Sequence, residues 1–354
     1  VVVNAKGFEA ENIIFENSFN QYISTKEMQD VVLPWTSGSP GARPTDLNNT
    51  SVQNKTLVER AAALAITASG DRTFLKNCRI IGRQDTFYGA QGARVAVYKG
   101  DVMGAVDFVF GGMAAVFYET KLVMNTSEQS SDHSYIVAPQ QTSGRGYLMY
   151  KTTVTSAEPN TQTASVYRSK PGYFGRPWSA NTSEAVFYNT TIETSDFPGF
   201  AGQSLVLPLG WQNSLGGTSP GMYEYGTVEL SGVNNSANRA SWATMLTQPV
   251  LTDGTPIATL NFTKGNDGWD PFNDITLSTG VVKTDNGTAV YAVKNEVFVK
   301  SVKGETVLKV YTMGGMLYKT FRTSSDTSFT MPAGIWLVTL QNPNGMKSVK
   351  IITH

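Results

Sequence analysis

The chain is poor in the residues on which many enzymes rely. It has one cysteine, Cys78, and two histidines, His133 and His354. A single thiol excludes an internal disulfide and a cysteine-rich metal centre. Its setting, TFLKNCRII, reads as a strand, where a buried structural thiol fits better than a reactive one. A Ser-His-Asp triad would rest on His133 alone, and a histidine-based metal site would lack partners. No metal and no cofactor is therefore expected.

An excess of charge is also missing. With 28 basic and 28 acidic residues the net charge is zero, so no global field draws nucleic acid or an anionic membrane, and no nucleic-acid partner is expected. No run of eighteen apolar residues occurs, which argues against membrane insertion. The opening residues, VVVNAKGFEAENIIF, carry no charged leader followed by an apolar block and enter strand texture at once. That is the pattern of a mature or truncated chain. Asn-x-Ser/Thr triplets at Asn125, Asn189 and Asn261 would suit an exposed surface in a secreted protein.

What the chain does have is repetition. NIIFENSF (12–19), TFLKNCRI (73–80), AVFYETKL (115–122), YLMYKTTV (147–154) and AVFYNTTI (185–192) share one degenerate pattern. Apolar residues precede a polar pair, then a small residue (Ser18, Cys78, Thr120, Thr152, Thr190), one more position and an apolar residue. Short strands of this kind between Gly, Asn, Ser and Thr clusters predict a strand solenoid, a right-handed parallel β-helix, over residues 1–273. A β-sandwich is the competing reading of the same texture. Polar stretches 34–56 and 124–134 read as loops of the kind that line clefts. From residue 274 to 354 the pattern changes to alternating strands with turns at Asp285-Asn286-Gly287 and Asn344-Gly345, predicting a separate small β-sandwich.

Two stretches set carboxylates among apolar residues: GRQDTFYG (82–89) and GAVDFVFG (104–111). In a parallel coil, residues one turn apart stack at ~4.8 Å, and a coil of roughly 22–25 residues would stack Asp85 on Asp107. Two carboxyls so placed cannot both ionise cheaply, so one becomes an acid and the other a nucleophile or base. Taken singly, each also fits a structural part: Asp85 capping a turn through Thr86, Asp107 pairing with an arginine. In YFGRPWS (173–179), Arg176 is held between Gly175 and Pro177 and could grip an aspartate through two hydrogen bonds, while Trp178 offers a flat apolar face.

Together GFEAENIIFENS, SGDRTFLKNCRIIGRQDTFYG, GAVDFVFGGMAAVF, YFGRPWS, LGWQN and GNDGWDPF resemble the pectin methylesterases, carbohydrate esterase family 8, in that family's order over residues 7 to 272. The resemblance implies a pectin-lyase-like β-helix and hydrolysis of methyl esters in a pectic polysaccharide. It also implies a role for each matching residue: Asp107 as nucleophile, Asp85 as acid and then base, Gln84 as oxyanion donor, Arg176 as the cation that keeps Asp107 ionised, and Trp178 and Phe110 as sugar-subsite residues. A second oxyanion glutamine of the family falls on Arg60 or on Ala62, and Arg60 is retained as a catalytic candidate. Arg83 replaces an aromatic residue and is expected to alter substrate contacts. The family's first coils would precede residue 1.

The end of the chain, LKVYTMGGMLYKT with MPAGIWLVTL, is similar to sorting modules of type IX secretion; a carbohydrate-binding or spacer module is the alternative. Export through that module, a secreted or cell-surface location and a monomer follow as expectations. Against the esterase stand a catalytically impaired pectin-binding β-helix and a β-helix lyase or glycoside hydrolase.

Overall fold

The computed structural model describes residues 1–17, 60, 62–128, 130, 132–159, 165–273, 287–312 and 315–353. Two compact units are present, Val1–Pro271 and Phe272–His354.

The first unit is a parallel β-helix of three sheets. Strands Val2–Val3, Leu64–Ile66, Phe87–Gly89, Val109–Gly111, Tyr135–Pro139 and Tyr173–Gly175 form one sheet, each paired in parallel with the next. A second sheet contains Thr73–Lys76, Arg94–Tyr98, Ala114–Tyr118, Tyr147–Tyr150, Glu184–Tyr188 and Gly221–Tyr225, and a third contains Arg79–Ile81, Asp101–Gly104, Lys121–Met124, Thr153–Ser156 and Thr191–Ile192. Alternate residues face inward, so the core is a set of columns: Phe87, Val109 and Val137 from the first sheet, Leu75, Val97, Phe117, Met149 and Phe187 from the second, Ile80, Val102, Leu122, Val154 and Ile192 from the third. Each buried aliphatic or aromatic side chain of this kind contributes about 1.5–3 kcal/mol relative to exposure.

The small residue of the repeat has a physical reason. The hydroxyls of Thr152 and Thr190 are buried and lie 3.0 Å apart across neighbouring coils. Cys78 is buried as well, its Sγ 3.4 Å from the carbonyl oxygens of Ala10 and Lys76. At Gly100 a Cβ would come within 2.0 Å of the Cys78 carbonyl oxygen, so only glycine fits.

Register corrects one member of the repeat. Glu11 pairs with Lys76 and Phe15 with Ile80, so FEAENIIF, rather than NIIFENSF, is the counterpart of TFLKNCRI. Ser18 lies outside the described residues. Two further coils, through RVAVYKGDV and MYEYGTVE, belong to the same register; glycines at positions 100 and 226 obscure them in the sequence. Coil length also changes, since 87 pairs with 109, 109 with 137 and 137 with 175.

The outer face of the second sheet is covered too, with Ala96, Val116 and Leu148 buried on the strands that contact the short helix Thr259–Thr263. Arg94 fastens that segment, donating to Asp71, to Asp267 and to the carbonyls of Thr263 and Lys264, and Arg72 donates to Asp267 as well. This accounts for GNDGWDPF. A buried trio, Arg239 between Glu224 and Glu229, accepts the Trp211 indole at Glu224 and holds LGWQN.

The second unit packs an antiparallel sheet of Ala289–Val293, Glu296–Lys300 and Thr327–Thr330 and another of Leu317–Thr323, Thr306–Thr312, Gly334–Asn342 and Gly345–Thr353. Val297, Val299, Leu308, Val310, Val338 and Leu340 fill the space between them. Stretch 34–56, most of the turn at Asp285-Asn286-Gly287, His354, and Met313 and Gly314 lie outside the described residues.

Candidate functional site

The site is assembled on the first sheet, just before its strands begin. Arg60 pairs in parallel with Gln84, and Gln84 with Val106. The next residue in each coil, Asp85 and Asp107, therefore occupies equivalent places on successive rungs, ~4.8 Å apart along the axis. The amide of Asp85 donates to the Val106 carbonyl at 3.0 Å, closing that rung. Both aspartates have left-handed backbones, with φ of 57° and 50°, a conformation that Asp tolerates better than most residues. The flanking Phe87, Phe108 and Val109 are buried in the core; Phe108 and Val109 are consecutive, so the alternation of inward and outward residues is broken beside the left-handed aspartates.

Arg176 reaches this pair from two coils away. Its Nε donates to Asp107 Oδ1 at 2.9 Å and its Nη2 to Oδ2 at 2.7 Å. The guanidinium lies over the Tyr135 ring, 4.1 Å from the centroid, and Nη1 is 3.4 Å from Ser214 Oγ. The placement is dictated by close packing: a Cβ at Gly175 would fall 2.0 Å from the Val137 carbonyl oxygen, and one at Gly216 would fall 1.8 Å from the Trp178 carbonyl oxygen. Pro177 accepts from Gly216, and Pro139 accepts from Trp178.

Burial raises both carboxyl pKa values. For Asp85 the nearby Asp107 charge adds to burial, against the opposing effects of Arg60, Arg176 and a hydrogen bond from the Gln84 side chain, and its pKa is pushed up to about 7. For Asp107 burial is opposed by the hydrogen bonds and charge of Arg176 and by the charge of Arg60. The two-pronged cation sits on Asp107, so the proton of the pair belongs to Asp85 and the negative charge to Asp107. Such a pair offers an acid and a nucleophile within one rung spacing.

Arg60, rather than Ala62, is the residue in register with Gln84. Its Nε lies 3.8 Å from Asp85 Oδ2. Gln84 is buried, and its Oε1 has no hydrogen-bond partner among the described residues. Beside the carboxyls, Phe110 stacks on Trp178 with centroids 6.1 Å apart and planes 20° apart, and Tyr88 leans on Phe110 at 4.9 Å. All three rings are half-buried, which leaves an aromatic strip along the sheet.

Two sequence expectations are overturned here. Arg83 does not reach a substrate: it is 1% exposed and is ion-paired with buried Asp132, with Nη1 donating to the Asn125 carbonyl. Within stretch 124–134, Asn125, Thr126, Ser127, Asp132 and Ser134 are buried while Glu128 and Ser130 are exposed; Asn125 is therefore not a surface acceptor. Its His133 is exposed.

Tyr135 and Tyr173 were not anticipated. They pair in register and stack with centroids 5.3 Å apart, continuing the column of Asp85 and Asp107. A signal existed in the recurrence D85-T-F, D107-F-V, Y135-I-V and Y173-F-G, with an aspartate or tyrosine two places before an inward residue. Among the described residues no group of three or more His, Cys, Asp or Glu is placed to hold a metal ion.

Residues 44–266 match the family model described as Pectinesterase. A probable pectinesterase/pectinesterase inhibitor 35 of Arabidopsis thaliana is 28% identical over 227 residues, 62% of this chain and 37% of the relative. A pectinesterase of Sitophilus oryzae is 30% identical over 132 residues, 36% of this chain and 33% of the relative. The chain thus spans little more than a third of the length of these curated relatives. Among solved structures, a pectin methylesterase from Yersinia enterocolitica matches at 20% identity and a TM-score of 0.45, covering 72% of each chain. One from Erwinia chrysanthemi matches at 20% identity and a TM-score of 0.43, covering 70% of this chain and 67% of that one.

Proposed function

The chain belongs to the pectinesterase family, and on that premise we propose that it hydrolyses methyl esters of galacturonate units in pectin, releasing methanol and free carboxylate. The observation that carries this reading is the unequal pair: Asp107 gripped through both oxygens by Arg176, and Asp85 on the adjacent rung with a pKa raised to about 7.

In the first half-reaction an Asp107 oxygen attacks the ester carbonyl carbon. The charge that develops on the carbonyl oxygen is met by the Gln84 amide, an already oriented donor in a site with little water. As the bond to methoxide breaks, Asp85 gives up its proton and methanol leaves, with galacturonate joined to Asp107 as an anhydride. In the second half-reaction Asp85, now a carboxylate, takes a proton from water while the hydroxide attacks the acyl carbon. The bond to Asp107 breaks, Asp107 regains its charge, Asp85 regains its proton, and the released acid ionises in solvent. Trp178 and Phe110 supply a flat surface for sugar rings. Arg176 has a second task, since it prevents Asp107 from taking the proton that Asp85 needs.

The protein acts as a secreted or cell-surface monomer in this reading, and residues 274–354 serve as a sorting or accessory module that engages export machinery. Highly methylated pectin, with methanol as the readout, tests the assignment: Asp107→Asn should reduce release to background while polymer length stays constant. Methanol release retained by Asp107→Asn would refute the nucleophile. Binding without methanol release by the unaltered protein would favour the impaired binding protein, and chain shortening would favour a lyase or hydrolase.

A further inference from the structure

Arg60 stands out because its side chain is 64% exposed and yet it lies against a carboxyl that is 9% exposed. It shares its register position with Gln84, one coil earlier, so the two residues occupy equivalent places on adjacent rungs, and Arg60 lies 3.8 Å from Asp85. The charged groups around Asp85 come from three directions: Arg60 from the preceding coil, Asp107 from the following coil, and Arg176 from beyond it. Arg176 is committed to Asp107 by both hydrogen bonds. Among the described residues, Arg60 is the cation left to act directly on Asp85.

We propose that Arg60 is a positioning residue for Asp85, its guanidinium favouring the Asp85 carboxylate and so setting the pH at which Asp85 changes from acid to base. This rests on the reading of Asp85 as both acid and base. The two half-reactions make opposite demands: the first needs the proton on Asp85, the second needs it gone. Buried beside a second carboxylate and without a cation of its own, Asp85 would hold its proton too firmly to serve as a base near neutral pH. A cation in partial contact with solvent corrects this by a modest amount that salt can screen.

The test is a titration of Asp85 in full-length protein labelled with carboxyl-¹³C aspartate, with Asp85→Asn to assign the resonance. It is compared with the pH profile of kcat/KM for methanol release. The wild-type midpoint should lie near 7, and Arg60→Gln should raise it by about 0.5–1 unit, the effect of an opposite charge at this range discounted for exposure. The alkaline limb of kcat/KM should move with it, because that limb reports loss of the proton from the free enzyme. Arg60→Lys, which keeps the charge, should stay near the wild-type midpoint. Raising salt to 0.5 M should move the wild type toward Arg60→Gln and move Arg60→Gln much less. An unmoved midpoint in Arg60→Gln, or a fall in rate equal at every pH, would overturn the proposal. If no form releases methanol but the resonance shifts as expected, the esterase reading fails and the charge relation between Arg60 and Asp85 stands.

Discussion

Replacing Arg176 by alanine removes the two donors that hold Asp107, 2.9 and 2.7 Å from its oxygens, from a residue that is 5% exposed in the unaltered protein. An opposite charge at this range lowers a carboxyl pKa by about 1–3 units. Loss of Arg176 should therefore raise Asp107 by about 2 units, which at ~1.36 kcal/mol per unit is roughly 2.7 kcal/mol, or ~100-fold less ionised nucleophile on the acidic side. Asp85 already lies at about 7, so the two carboxyls then compete for one proton and Asp107 holds it more often. The acidic limb of kcat/KM for methanol release from highly methylated pectin should move up by about 2 units. Because it then overlaps the alkaline limb, the maximum should fall as well. Arg176→Lys keeps a charge but loses the fork that fits both oxygens; it should hold the limb closer to wild type while still losing rate. Should Arg176→Ala lose the same factor at every pH, with its acidic limb in place, Arg176 does not act by keeping Asp107 ionised.

Two stability predictions follow from the same geometry. Asp85 is more basic in the folded state, at about 7, than in the unfolded chain, at ~3.9, so folding binds a proton between those values and stability falls as pH rises through that window. The penalty is complete above it and approaches about 4 kcal/mol at ~1.36 kcal/mol per unit, an upper bound for a coupled pair. Asp85→Asn should therefore be more stable than wild type at pH 8 in urea unfolding, by about 2–4 kcal/mol, and equal to it near pH 4; equal stability at both would show that the carboxyl is not held against its preference. In the hydroxyl contact of Thr152 and Thr190, Thr190→Val strands a buried partner and should cost about 1–3 kcal/mol. The double substitution to Val should recover most of that loss. Simple additivity of the two single changes would mean that the hydroxyls are not coupled.

The pairing of Asp85 with Asp107 was legible because their coil carries no insertion, so separation along the chain translated directly into stacking. Later coils are longer, and the same reasoning could not bring Arg176 or Tyr135 to Asp107; the local motif offered Arg176 as a partner for an aspartate, only the resemblance said which one, and nothing named Tyr135. NIIFENSF was misaligned because apolar content alone does not say which strand of a coil a residue belongs to. Arg83 was misread for a related reason. Next to Gln84 and Asp85 it looks like a site residue, yet its side chain is buried against Asp132, which lies 49 residues further along.

Composition, alternation and the recurring coil pointed to a strand solenoid and to a stacked pair of acids, because those properties depend on neighbours along the chain. The choice of Arg60 over Ala62, the attachment of Arg176 to Asp107, and hence the location of the proton on Asp85 belong to the folded molecule. Those outcomes depend on which residues of distant coils share a rung and on how much water reaches them, and loops of unequal length conceal both in a linear reading.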